Sequence, residues 1–203
     1  MVGLLSNFRN TFIVGLVLAV LMIVGFATGP HGTDSSFIEA VMRWMHVFFG
    51  ILWIGLLYYF NFVQIRVMPA VPAELKPGVS KYIAPEALFW FRWAALATVI
   101  MGLAIAGQRH YIGQTLSLGF AGTDAADKTH YLLLGLGMWL GIIMMLNVWG
   151  IIWPNQKRAL GLVEADADTK AKAARVAMMG SRTNLLLSLP MLVSMTMSQT
   201  LYG

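Results

Sequence analysis

There is no cysteine in this chain, and only 9 acidic and 14 basic residues among 203. The first absence excludes a disulfide framework, a thiolate metal site and an iron–sulfur cluster. The second sets the class. At 11% charged and 58% hydrophobic, the chain lies far from soluble domains, in which about a quarter of residues are charged, and reads as a membrane protein. The net charge of +5 is no nucleic-acid signal, because the basic residues fall in short loops. There is no internal repeat of the kind transporters carry, which leaves small-molecule transport the weakest functional reading.

What the chain does have is apolar length. Five stretches, near 9–28, 37–65, 84–108, 129–153 and 183–202, are long enough to cross roughly 30 Å of hydrocarbon. This predicts an all-α membrane protein, one polytopic domain of five transmembrane helices over residues 1–203. The first stretch exceeds a signal-peptide core and lacks a following A-x-A-like cleavage site, so it reads as a retained helix. Arg9, Arg66, Lys76, Lys81, Lys157, Arg158, Lys170, Lys172, Arg175 and Arg182 fall on one side of this arrangement, and Arg43, Arg109 and Lys128 on the other. The positive-inside rule then puts the N-terminus in the cytoplasm and the C-terminus outside.

The connections carry their own signals. Ser36 is the expected N-cap of the second helix. The stretch MPAVPAELKPGVSKY (68–82), with three prolines, is not a regular helix throughout, and Pro85 suits the first turn of the third span. Tyr111, Leu116, Leu118 and Phe120 suit the outer loop 109–128 to the membrane surface. Residues 165–180 predict a short amphipathic helix, acidic at its start and stopped by Gly180, ahead of the last span.

The residue to explain is His46, inside the run VMRWMHVFFGILWIGLLYYF (41–60). An ionisable residue in a membrane helix is costly and marks a functional site by default. Helical spacing sets it on one stripe with Glu39, Arg43, Gly50, Trp53, Leu57, Phe60 and Gln64, which is the protein-facing side. Its depth is roughly 14 Å from the outer end at the helical rise. Two readings stand: a ligand of haem b iron or a proton-relay group, hence a catalytic residue, or an imidazole bonded to a carbonyl or hydroxyl of a neighbouring helix. No metal is expected beyond haem iron at His46. His31, His110 and His130 also lie toward the predicted outer side, so His110 and His130 are the candidate second axial ligands, with Trp53 beside the cofactor.

A second polar cluster lies at the predicted inner end: Arg92, Asn147, Asn155, Gln156, Arg182 and Asn184. Ser181, Asn184 and Ser188 share a face, and Pro190 is placed to kink the helix. Amides and hydroxyls commonly bond between membrane helices, so this set reads as interhelical glue, or as a pocket for a quinone or substrate head group. Arg92 is equally explained by snorkelling. Gly137 and Gly141 form a small-xxx-small step, and the 14 methionines are scattered apolar filler.

Three segments, RWMHVFFGILWIGLLYYF (43–60), PEALFWFRWAALATVIMGLAI (85–105) and NVWGIIWPNQKR (147–158) leading into SRTNLLLSLPMLVSM (181–195), resemble the membrane domain of the bacterial urate hydroxylase family (the urate oxidase N-terminal domain). They cover about a third of the chain. The resemblance implies a bacterial inner-membrane redox protein that passes electrons from urate to a cytochrome c domain. This sequence has no C-x-x-C-H and stops at Gly203, so any cytochrome c is a separate partner. Two histidines of the family pattern fall on Gly135 and near Gln199, and only His46 is kept within a matching motif. A histidine before W-x-G is also similar to protoporphyrinogen-oxidase-like haem proteins. The expected function is therefore a non-catalytic or accessory subunit of a larger membrane redox or energy-conversion complex, embedded in the lipid bilayer beside other subunits. The alternative is a haem- or quinone-linked oxidoreductase.

Overall fold

The computed structural model describes residues 2–29, 32–121, 124 and 127–202; His31 lies outside the described residues. The chain is 85% helical with no strand among the described residues. Five helical stretches are long and apolar enough to cross a membrane: Phe8–Ala27, Ser35–Ala70, Lys76–Gln108, Lys128–Ala159 and Ala167–Tyr202. The main helices are α1 (Phe8–Ala27), α2 (Ser35–Tyr58), α3 (Ala84–Gln108), α4 (Ile112–Leu116), α5 (Lys128–Asn147), α6 (Trp153–Ala159) and α7 (Ala167–Tyr202). The chain divides into two compact units, 1–44 and 45–203, with α2 running from the first into the second.

In the first unit, Asn7 caps α1 by accepting a hydrogen bond from the Asn10 backbone N–H at 3.2 Å. None of the residues of α1 is buried. The cap of α2 is Asp34 and not Ser36: its Oδ1 accepts from the Phe37 N–H at 2.8 Å. A carboxylate is a stronger acceptor than a hydroxyl and also suits the positive end of the helix dipole, so the helix starts two residues earlier than expected. Arg43 donates to Glu39 one turn away on α2.

The second unit is built around an aromatic and aliphatic core. Trp53, Leu57 and Phe60 from the α2 side meet Leu88, Phe91, Ala94 and Ala95 of α3, and Met144, Val148, Ile152 and Met191 close the cluster. Phe60 and Phe91 meet edge to face, 5.5 Å between centroids. In lipid the surroundings are as apolar as the core, so what holds these helices together is close packing and interhelical hydrogen bonds rather than escape from water.

Helix α7 shows how that packing is reached. Its buried residues are Ala173, Ala177, Gly180, Ser181, Asn184, Ser188, Met191, Ser194 and Ser198, nearly all small and spaced by three and four. This seam lets α7 lie close along α5 and α6. It also corrects the expected stop at Gly180. α7 is one continuous helix of 36 residues that runs through both Gly180 and Pro190. A Cβ on Gly180 would lie 2.9 Å from Ile152 and 3.2 Å from Asn147, so its glycine serves close approach and not termination.

Three π-helical segments interrupt the long helices, at Tyr59–Gln64, Val79–Ile83 and Val148–Ile152. The second and third each end two residues before a proline, Pro85 and Pro154. A proline cannot donate to the carbonyl four residues back, and its ring clashes there. Those carbonyls belong to Lys81 and Gly150, inside the two π segments, where the wider turn relieves the conflict. Pro85 stands in the first turn of α3, as expected, and the proline-rich connection forms a 3-10 turn at Met68–Ala70 and, at Lys76–Gly78, a short helix that runs on into the π segment Val79–Ile83. The connection between α3 and α5 folds onto the protein: Tyr111 and Leu116 pack with Leu134 and Met138, Leu118 is half-buried, and Phe120 stays exposed.

Candidate functional site

The stripe on α2 is the inward side of the helix. Trp53, Leu57 and Phe60 are buried and His46, Gly50 and Gln64 half-buried, while Val47, Phe48, Ile51, Phe62 and Val63 on the remaining faces are exposed. His46 meets α3 directly. Its Nδ1 is 2.8 Å from the backbone oxygen of Thr98. A carbonyl only accepts, so Nδ1 is the nitrogen that donates here. A Cβ placed on Gly102 would lie 3.0 Å from Cε1 and 3.2 Å from Nδ1 of that ring. The absence of a side chain at position 102 therefore makes the seat for the imidazole. Thr98 is itself fixed, because its hydroxyl donates to the Ala94 carbonyl at 2.7 Å. Gly50 faces the methyl group of the same threonine.

Two turns further along the stripe, Trp53 is 1% exposed, and its indole N–H has no acceptor among the described residues. A buried donor left unpaired costs about 1–3 kcal/mol.

The other histidines have different neighbours. His130, in the first turn of α5, lies nearly parallel to Tyr131 and Tyr202, with centroids 5.1 and 5.3 Å away. His110 follows α3, exposed, with a backbone φ of 58°. Neither shares with His46 the residues it rests on. The donor chemistry of His46 suits one axial position of a haem, but Gly102, the flat space beside it, is filled by the imidazole itself. Among the described residues no second histidine comes to His46, so the fit to haem b there is partial. Among the described residues no cluster of three histidine or acidic side chains could hold a metal ion.

The second polar set separates into four places. Asn147 and Asn184 form the buried one. Asn147 Nδ2 donates to the Gly180 carbonyl at 2.9 Å and to Asn184 Oδ1 at 2.7 Å, while Asn184 Nδ2 donates to the Met144 carbonyl at 3.0 Å. Arg92 belongs elsewhere: its guanidinium lies 3.9 Å from the ring centre of Trp153 and 5.2 Å from that of Phe89. Asn155 bonds back to the Ile151 carbonyl within its own helix. Gln156 is half-buried on α6, and Arg182 is exposed on α7.

Asn61 and Tyr58 join the buried network although neither was singled out from sequence. Asn61 Nδ2 donates to Ser181 Oγ and to the Leu57 carbonyl, both at 2.9 Å, and the Tyr58 and Ser188 hydroxyls are 3.3 Å apart. The available signal was an amide in an otherwise aromatic stretch, YYFNFVQ (58–64). Near the other end of α7, Ser194 donates to the Leu133 carbonyl and stands against Gly137, where a Cβ would lie 2.8 Å from its hydroxyl. Gly141, the other half of the small-residue step, has nothing within 4 Å of a Cβ. Gly135 makes the tightest approach instead, because its Cβ would fall 2.1 Å from the Thr115 carbonyl oxygen.

Compared with protein families, curated proteins and solved structures, the chain matches none.

Proposed function

We propose that this chain is a non-catalytic integral subunit of a larger bacterial membrane redox or energy-conversion complex, built like the membrane domain of urate hydroxylases. One observation carries the reading: the polar side chains inside the helical unit serve to clasp helix to helix. His46 holds α2 to α3, Asn147 and Asn184 hold α5 to α7, and Asn61 reaches Ser181 from the π segment after α2. Bonds of this kind position and stiffen a bundle, and they do not by themselves supply chemistry. The helices then sit in the inner membrane with the N-terminus cytoplasmic and the C-terminus outside, as the loop charges indicate. Isolation from native membranes in mild detergent tests this: the chain comes out in fixed ratio with larger subunits, and a chain recovered only as a free species contradicts the reading.

The second reading, a haem- or quinone-linked oxidoreductase of urate hydroxylase type working with a separate cytochrome c, is favoured by one observation. The buried Trp53 N–H is a donor without an acceptor among the described residues, two turns from the His46 imidazole. A quinone carbonyl is an acceptor of the matching kind. In that case Trp53 would orient the ring and His46 would hold or pass a proton.

A further inference from the structure

Arg92 lies two turns inside α3, in a helical stretch whose most apolar 18 residues have a mean hydropathy of 1.8. No carboxylate lies within ion-pairing distance of it among the described residues. A guanidinium placed this way faces a cavity, a polar interface or an anion. The groove is present: about 360 Å³, open to the outside, lined by Pro85, Glu86, Phe89, Arg92, Trp153 and Leu162. Its two ends differ in charge. Arg92 is half-buried, held over Trp153 and beside Phe89. Glu86 is exposed at the rim.

The aromatic faces fix the guanidinium without using up its N–H donors, since a cation over a ring is held by the ring's quadrupole. Those donors form a planar fork that matches a phosphate. The backbone behind the site is pinned as well: Trp149 Nε1 donates to the Arg92 carbonyl at 3.1 Å, and Trp149 meets Trp93 edge to face. Trp153 opens the short helix that carries Lys157 and Arg158, and Lys76 and Lys81 precede α3, so this groove lies at the basic, interfacial end of the spans.

We infer that this groove binds the head group of an ethanolamine phospholipid, with the phosphate on Arg92 and the primary ammonium on Glu86. The apolar walls given by Phe89, Pro85 and Leu162 face the start of the acyl chains. A choline head group offers no N–H to Glu86, and a glycerol head group offers it no positive charge. A soluble phosphate would satisfy Arg92 but leave the apolar walls and Glu86 unused.

The test uses the full chain in detergent micelles, with thermal unfolding followed as phosphatidylethanolamine, phosphatidylcholine, phosphatidylglycerol or free phosphoethanolamine is added. Saturable stabilisation by phosphatidylethanolamine is expected, with apparent affinity falling at least about tenfold in Arg92→Gln. The exposed Glu86→Gln should fold normally and lose the preference for ethanolamine over choline, which keeps the proposal testable if Arg92→Gln does not fold. Arg182→Gln, exposed on α7, leaves the response unchanged. Equal stabilisation by all lipids, a response to phosphatidylglycerol alone, or one to free phosphoethanolamine at the same concentration would overturn the assignment.

Discussion

The backbone oxygen of Thr98 accepts the Nδ1 proton of His46 across the α2–α3 contact, at 2.8 Å, on the surface left bare by Gly102. A costly residue in an apolar helix is thereby used to fasten two helices at one height and rotation.

The seat at Gly102 is tight, so an added methyl group should be felt. Gly102→Ala puts a carbon about 3 Å from the imidazole and forces the ring off its bond. Overpacking of this kind costs about 1–3 kcal/mol. The loss should shrink when His46 is already alanine, which a double-mutant cycle read by unfolding in mixed micelles will measure.

Two glycines on α5 should part company. Gly135→Ala meets the Thr115 backbone oxygen, which cannot swing aside as a side chain can, and should cost at least about 3 kcal/mol, at or beyond the top of the overpacking range. Gly141→Ala meets nothing within 4 Å and should be neutral, or stabilising by up to about 1 kcal/mol through helix propensity. Side-by-side unfolding curves of the two variants check this.

The Asn147–Asn184 pair should behave as membrane glue. A cycle of Asn147→Leu and Asn184→Leu should give a coupling near about 0.6 kcal/mol and no more than about 2, in the range of interhelical bonds in bilayers. A single replacement should cost more than the coupling, because it also removes that residue's own bond to a backbone carbonyl, of Gly180 or of Met144, while the remaining amide keeps only its other bond.

Asp166, just ahead of α7, is held below the usual carboxylate range, first by the Thr169 backbone N–H at 2.7 Å and next by the Thr169 hydroxyl at 2.9 Å. A depressed folded-state pKa means the cap's contribution is complete above the unfolded pKa and is lost as pH falls through the lower, folded one. Protection from hydrogen exchange in the first turn of α7, taken relative to the intrinsic rate at each pH, should therefore hold from neutral pH down into the carboxylate range and be lost below it. Asp166→Ala should show fast exchange throughout.

Much of the helical layout was legible in the sequence, for physical reasons. Apolar length marks the spans, Pro85 marks the start of α3, and the stripe through His46, Trp53 and Leu57 follows from helical period alone. Less of the local detail was. Gly180 reads as a stop in isolation, and only the approach of Asn147 and Ile152 reveals it as a packing residue. The π segments have no periodic signature, though the prolines that follow two of them are visible. At the candidate site, helix contacts decide what a lone polar residue does. His46 could be singled out from the sequence, but Thr98 and Gly102 could not be matched to it, being more than fifty positions away along the chain.

The account rests on His46 as a clasp in an accessory subunit. The most direct measurement is the visible absorption spectrum of the chain purified from haem-sufficient bacteria, before and after reduction. The account predicts no Soret band carried by this chain, and a His46→Ala variant that is less stable but spectrally identical. A Soret band that shifts on reduction and disappears in His46→Ala would contradict it.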